Sequence, residues 1–175
     1  MRQALGGRKV ARLMALQGAD TNGDATLRLL DPTIASLIVA ATDESQRRFA
    51  IACARHAVAK TGLSDLAVSE SLAIAARAGV QDSHELRGRI EHVAAALDEA
   101  AFDVHDAVDA GRANYGEYEA AFGLARAATA AGCCLDLSAR KAAATACYEA
   151  LAALGDRAVV HIAALARETL SGGSG

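Results

Sequence analysis

The chain has 175 residues, a formal net charge of −3 and a composition dominated by alanine, which fills 45 positions. A hydrophobic content of 53% excludes an intrinsically disordered chain, and a slightly acidic balance with 3% aromatic residues is not typical of nucleic-acid-binding proteins. Alanine is the strongest helix former and strand-forming residues are scarce, so the composition predicts an all-α protein with a single domain.

Helix starts and stops can be read along the chain from capping residues, Pro and Gly. The first predicted helices are a short one near residues 8–17, one from Asp31-Pro32 through Ala41, and one from Thr42 to Thr61 that stops at Gly62. The next are one from Ser64 that ends before Gly79 and a long one from His84 to Ala110, between Ser83 and Gly111. The last three run from Glu117 to Ala131, where Gly132 ends the helix, from Asp136 or Ser138 to Gly155, and from Asp156 through Leu170. Short connections favour antiparallel neighbours. We therefore predict a globular bundle of about eight mostly antiparallel helices over residues 1–170, followed by a flexible Ser/Gly tail at 171–175 that is a linker or tag remnant.

The sequence shows no signal for export or membrane insertion. Its first residues are basic but lack the apolar stretch of about 7–15 residues that a secretory signal requires, and no run of about 18 apolar residues occurs. The four cysteines, Cys53, Cys133, Cys134 and Cys147, have no CxxC spacing and are expected to be buried and reduced. These features predict a cytoplasmic protein without membrane contacts, and the excess of Arg over Lys indicates a bacterial source.

The longest predicted helix has a single apolar stripe, whereas the later helices are rich in alanine. The stripe follows a 4-3 spacing and consists of Leu86, Ile90, Val93, Leu97, Ala101, Val104 and Val108. The small residues of the later helices are Ala127, Ala130, Ala131, Ala142, Ala143, Ala146, Ala150 and Ala153. We expect these helices to pack closely. If their alanine faces formed an exposed patch, they would favour a self-assembling helical scaffold, whereas burial within the monomer would remove the basis for that function.

A segment near the N-terminus resembles a calcium-binding loop. Calcium loops place oxygen ligands at positions 1, 3, 5, 7 and 12, and the corresponding residues here are Asp20, Asn22, Asp24, Thr26 and Asp31. Ala25 stands where such loops need Gly for a left-handed turn, and the final Asp is shorter than the usual Glu. A polar loop between helices without any metal explains the same residues. Calcium is the one cofactor that the sequence suggests.

The outward side of the long helix, together with the turn after it, is rich in acidic residues. A rotation of about 100° per residue places Glu91, Asp98, His105 and Asp109 on one line, away from the apolar stripe. Aromatic residues are concentrated nearby. The candidate partner-binding residues are Asp98, Phe102, Asp106, Asp109, Tyr115, Glu117, Tyr118 and Glu119. Clustered acids with aromatic anchors predict docking of a basic protein, although an ordinary solvated helix face explains the acids without any partner.

The sequence contains none of the common linear motifs of catalysis. It has no Gly-rich phosphate loop, no Gly-x-Ser-x-Gly, no dinucleotide fingerprint and no Glu-x-x-His pair of a di-iron bundle. Cys133-Cys134 lies near a predicted helix start, where a thiolate could be stabilised, but no His is close in sequence to act as a base. We therefore predict that the protein is not an enzyme. A small-molecule pocket between helices needs no linear motif and stays open.

Several alanine-rich segments carry a resemblance to a known family. They are Phe49-Ala-Ile-Ala-Cys-Ala-Arg-His56, Ala101-Phe-Asp-Val-His-Asp106, Leu124-Ala-Arg-Ala-Ala-Thr-Ala-Ala-Gly-Cys-Cys-Leu135 and Ala142-Ala-Ala-Thr-Ala-Cys-Tyr-Glu-Ala-Leu151. Over residues 46–155 the chain resembles the alanine-rich helical immunity proteins of bacterial polymorphic toxin systems. The resemblance implies a small cytosolic inhibitor that binds a cognate toxin and has no catalytic residues.

Overall fold

Eight α-helices make up most of the computed structural model, which describes residues 22–77 and 83–171. They are α1 (Asp24–Leu27), α2 (Pro32–Ala40), α3 (Asp43–Thr61), α4 (Leu66–Ala75), α5 (His84–Asp109), α6 (Tyr115–Cys133), α7 (Ala139–Leu154) and α8 (Val159–Leu170). A short 3₁₀ helix, Asp156–Ala158, precedes α8, and this described part of the chain contains no strand. The predicted all-α bundle is therefore confirmed. The short helix predicted near residues 8–17 and the tail residues 172–175 lie outside the described residues.

Local capping signals begin and end most helices where the sequence predicts. Asp31 caps α2 by accepting a 2.8 Å hydrogen bond from a backbone N–H of the first turn, and Thr42 caps α3 in the same way. Gly62 follows the end of α3 with a φ of 72°, in the left-handed region that glycine adopts without strain. The next helix begins slightly later than expected, because Asp65 rather than Ser64 is its cap.

The helix α6 differs most from its prediction. It begins at Tyr115 rather than Glu117, and it continues through Gly132 to Cys133 instead of stopping at the glycine. A Cβ atom added to Gly132 would lie 3.0 Å from Cγ2 of Ile90 on α5. The glycine is therefore a point of close approach between two helices and not a helix terminator.

The core lies where α3, α6 and α7 meet, and many of its residues are alanines. Helix α7 packs against both α3 and α6, and α5 lies along α6. The alanines without any exposed surface include Ala54, Ala57, Ala127, Ala130, Ala131, Ala142, Ala143, Ala146 and Ala150. The predicted close packing is thus confirmed. Because these alanines meet other helices of the same chain, they form no exposed patch, whereas Ala153 is partly exposed, and the self-assembling scaffold stays an alternative prediction.

The apolar stripe of α5 faces the other helices, as its spacing predicts. Leu86, Ile90 and Ala101 are buried, and the remaining members, Val93, Leu97, Val104 and Val108, are partly buried. The stripe covers one side of the helix only. Neither α5 nor any other described helix is long and apolar enough to cross a membrane.

Candidate functional site

A helical hairpin brings most of the predicted binding residues together. Helix α5 ends at Asp109, and α6 begins after a short turn and packs along it. Gly111 makes this turn with a φ of 68°, and its N–H donates a 2.9 Å hydrogen bond to the carbonyl of Val108. The hairpin end carries side chains of both helices. We call the following residues the acidic–aromatic surface: Phe102, Asp106, Asp109, Tyr115, Glu117, Tyr118 and Glu119.

All four carboxylates of this surface are exposed, and three of them take no part in capping α6. The three are Asp106, Asp109 and Glu119. Oδ2 of Asp109 lies 3.7 Å from Nδ1 of His105, one helical turn earlier on α5. Like charges that are exposed and close together speed the approach of an oppositely charged partner. These three acids are therefore the ones that a basic protein could contact directly.

Glu117 has a different role, although it is also exposed. Its Oε1 accepts a 2.9 Å hydrogen bond from Nδ2 of Asn114, and its backbone N–H donates a 3.1 Å hydrogen bond to Oδ1 of the same Asn. Together with the bond from Asn114 N to Glu117 Oε2, at 3.3 Å, this forms a capping box. The box holds the first turn of α6. Glu117 therefore positions the neighbouring aromatic residues through the backbone.

Three aromatic rings of α6, those of Tyr115, Tyr118 and Phe122, form a continuous row, and Phe102 on α5 is a separate exposed ring. Phe102 is 59% exposed and Tyr115 is 61% exposed. The ring centroids of Tyr115 and Tyr118 are 5.7 Å apart, and those of Tyr118 and Phe122 are 5.9 Å apart. His105 of α5 meets Tyr118 edge-on at 5.0 Å. The sequence-based prediction did not include Phe122. Its spacing of seven residues from Tyr115 and four from Tyr118 places all three rings on one face of a helix, which is the signal that could have identified it.

A groove of about 560 Å³ continues the surface between α6 and the C-terminal end of α7. Tyr115, Tyr118, Glu119 and Phe122 line one side, and residues 152–157 line the other. Gly123 permits the close approach of the two helices, since a Cβ added there would lie 2.9 Å from the carbonyl oxygen of Ala153.

The groove suits a cationic group. A helix C-terminus has a partial negative charge, and the faces of aromatic rings attract cations. Glu119 adds a full negative charge at the rim, whereas Arg157 adds a positive one on the opposite side. Burial, and after it the neighbouring Tyr115, raises the pKa of the Tyr118 phenol, which therefore stays neutral. A bound cation would lie toward Glu119 and Tyr118, away from Arg157 and from Phe122, whose ring already has the guanidinium of Arg126 over it at 5.3 Å.

Asp98 is not one of the exposed acids, although helical rotation predicts that it belongs to the partner-binding surface. Its side chain is 23% exposed, and its carboxylate pairs with the guanidinium of Arg126 on α6. Arg126 is 6% exposed, and its Nη1 also lies 3.2 Å from Oε2 of the buried Glu149 on α7. Burial by itself lowers the pKa of Arg126, but Glu149 and Asp98 together raise it above its ordinary value. The three side chains join α5, α6 and α7, so Asp98 has a structural role here.

The predicted calcium ligands are Asp20, Asn22, Asp24, Thr26 and Asp31, and Asp20 lies outside the described residues. The middle of the segment forms a helical turn, α1, rather than an extended loop. Oδ1 of Asp24 accepts a hydrogen bond from Arg140, and Asp31 caps α2. Thr26 is buried. Two of the carboxylates therefore have partners within the protein, and calcium binding stays a prediction.

The adjacent cysteines lie at the C-terminal end of α6, so the expectation of a helix start is wrong. Burial raises the pKa of Cys133 to about 12 and raises that of Cys134 further. Both are therefore protonated thiols at neutral pH, which are poor nucleophiles. All four cysteines are free. In residues 22–77 and 83–171, no three His, Cys, Asp or Glu side chains are grouped as a metal site requires.

Comparison with known proteins identifies no relative. No protein-family model matches the chain, and no curated protein or solved structure is significantly similar to it. The site must therefore be interpreted from its own geometry.

Proposed function

We propose that this protein is a non-enzymatic protein-binding module whose acidic–aromatic surface docks a basic partner. The observation that supports this best is the continuity between the exposed carboxylates and the row of aromatic rings that enters the groove. Aromatic residues at the centre of a contact and charges around it are the usual arrangement of protein interfaces.

The docking chemistry follows from the two parts of the surface. Asp106, Asp109 and Glu119 would attract a basic protein at long range, which raises the association rate and makes it sensitive to salt. A Lys or Arg side chain of the partner would then enter the groove, where Tyr118 offers a ring face; the ring of Phe122 already has the guanidinium of Arg126 over it, 5.3 Å from its centroid. Such a desolvated contact mainly slows dissociation.

The narrower proposal, an immunity-type inhibitor of a toxin, comes from the resemblance of the alanine-rich helices. In that role the module would cover a basic surface of its target by steric occlusion. A cytoplasmic location belongs to the same proposal, and the free thiols of all four cysteines fit a reducing compartment.

The proposal can be tested with a neutralised surface. The test variant combines Asp106→Asn, Asp109→Asn and Glu119→Gln, and leaves Glu117 and Asp98 unchanged because both stabilise the fold. A matched control neutralises three exposed acids elsewhere, Glu44→Gln, Glu85→Gln and Glu168→Gln, which changes the net charge equally.

Each protein is used as bait in the source lysate at low and high salt, and captured proteins are identified by mass spectrometry. We expect a stoichiometric basic partner that is retained by the unaltered chain and the control, is released by salt, and is lost by the test variant. Equal capture by all three baits would contradict this surface as the docking site. Capture of only the bait's own chain would contradict the basic partner.

A further inference from the structure

A second cavity lies near the other end of α6, well apart in sequence from the acidic–aromatic surface. It has a volume of about 310 Å³ and lies between α5, α6 and α7, with one side open to solvent. Ile90 and Ala94 of α5 and Gly132 and Cys133 of α6 supply an apolar floor, and Thr145 of α7 closes one side. At roughly 30 Å³ for a water molecule, this space holds a ligand of about ten heavy atoms.

The walls of this cavity are held in place by arginines that bind the loop after α6. Arg47 of α3 donates hydrogen bonds of 3.0 Å to the carbonyl of Asp136 and 2.6 Å to that of Leu137. Arg87 of α5 donates one to the carbonyl of Leu135. Three consecutive carbonyls are thus bound by side chains from two other helices. A cavity with fixed walls loses little conformational entropy when a ligand binds.

The rim of the cavity has two positive and two negative side chains. Arg87 and Lys141 are the cations, and Glu91 and Asp136 are the anions. Nζ of Lys141 lies 3.3 Å from Oδ2 of Asp136, with both side chains only partly exposed. Arg87 and Glu91 are one helical turn apart on α5, so they are neighbours on the same face. The formal charge around the cavity is zero.

The hydroxyl groups inside the cavity are available as hydrogen-bond acceptors only. Thr129 donates its hydrogen to the carbonyl of Ala125 at 3.0 Å, and Thr145 donates its own to the carbonyl of Lys141 at 2.7 Å. The oxygen of Thr129 keeps a lone pair for a ligand, whereas the hydroxyl of Thr145 is also hydrogen-bonded with Cys133. A ligand with an N–H donor as well as an apolar body would match this lining.

Together, the charges and the apolar floor indicate which class of ligand the cavity would bind. A simple anion would be attracted by Arg87 but repelled by Glu91, and the reverse holds for a simple cation. An uncharged hydrocarbon would fill the floor but leave the charged rim partly desolvated. A zwitterion carries a negative and a positive group, so it can pair with Arg87 and with Glu91 at once. We infer that the cavity binds a small zwitterion with an apolar side chain, the class of the apolar α-amino acids, with its carboxylate toward Arg87 and its ammonium group toward Glu91.

The inference can be tested by following the backbone amides of the isotope-labelled full chain by NMR while L-leucine is added. We expect saturable shifts at Ala94, Gly132 and Cys133 with a Kd of about 1 mM or below. Two probes each lack one charge: 4-methylpentanoate lacks the amine, and 3-methylbutylamine lacks the carboxylate. Both should bind at least about tenfold more weakly than leucine.

A substitution at the rim separates this role from general effects on the fold. Glu91→Gln should weaken leucine binding about tenfold without weakening the binding of 4-methylpentanoate, because only leucine has an ammonium group. The control is Glu99→Gln, which changes an exposed acid of the same helix outside the cavity and should leave both affinities unchanged. The inference would be overturned if the shifts do not saturate at about 50 mM leucine. It would also be overturned if leucine binds no more tightly than its two analogues, or if the two variants respond equally.

Discussion

The two halves of α6 show how one helix contributes to a surface and to a core. In its first half, Tyr115 and Glu119 are exposed and the rings of Tyr118 and Phe122 are only partly covered. In its second half, Ala128 and Ala131 have no exposed surface and pack in one cluster with residues of α3, α5 and α7. Bulky side chains are thus found where few neighbours are close, and alanine is found where helices enclose α6 on several sides. Arg126 lies at the border between the two.

The largest effect is expected from Arg126→Met, which removes the paired cation at the border between the two halves of α6. Asp98 and Glu149 would lose a shared cation while still partly or fully buried, so the free energy of unfolding should fall by about 3–5 kcal/mol. Urea denaturation measures the change, with the exposed Arg157→Met as a control that should stay near the unaltered value. Adding Glu149→Met to Arg126→Met should recover part of the loss. A loss below about 1 kcal/mol would show that the two carboxylates need no cation.

Ala143→Leu tests whether the core needs its small residues. Ala143 is fully buried on α7, and three added carbon atoms must displace neighbouring helices, at a cost of about 1–3 kcal/mol. Ala120→Leu makes the same change at an exposed position of α6 and should alter stability by no more than about 0.5 kcal/mol. Thermal and urea unfolding of the two variants compare the regions directly. Similar losses in both would remove the distinction between the alanine-rich core and the exposed half of α6.

Asn114→Ala tests how the acidic–aromatic surface is held. The change removes the capping box, so the chain should lose about 1 kcal/mol of stability, and amides in the first turn of α6 should exchange faster. Asn114→Ser retains an oxygen that can accept the capping hydrogen bond and should keep most of the stability. Hydrogen exchange then shows where the effect lies. Uniformly faster exchange across α6 and α7 would mean that the box supports the core as well.

A smaller, pH-dependent effect is expected where α3 meets α8. The rings of His56 and His161 are stacked with centroids 3.9 Å apart. Partial burial, then His161 and Lys60, lower the pKa of His56 below its ordinary 6.5, so the folded state favours the neutral ring. Stability from this group is therefore complete above about pH 6.5 and is lost as the pH falls through the lowered pKa.

Melting temperatures between about pH 7.5 and 5 measure this dependence. His56→Gln should flatten the curve in that range, whereas His84→Gln, an exposed His at the start of α5, should leave its shape unchanged. A curve of the same shape for the unaltered chain and His56→Gln would show that the stack does not sense pH.

The parts of the fold that depend on near neighbours could be predicted from the sequence. Asp31, Thr42 and Gly62 act on residues within one turn of themselves, so their effects do not depend on the rest of the fold. The stripe of α5 was predictable for the same reason, because helical rotation alone places its members on one side. The turn between Asp109 and Tyr115 was predictable from Gly111 and the short connection after it, and this turn brings together most of the candidate surface.

Contacts between residues far apart in the chain decided the ion pairs, the close helix contacts, the groove and the cavity. Helical rotation could not show that Asp98 pairs with Arg126, or that Gly132 meets Ile90 rather than ending a helix. The groove beside Phe122 and the cavity beside Cys133 exist only because α7 packs against α6. The sequence by itself therefore determined the helices and their apolar sides, since these depend on local hydrogen bonds and periodicity. Only the tertiary structure decided which acids reach solvent and where cavities form, because both depend on packing between helices far apart in the chain.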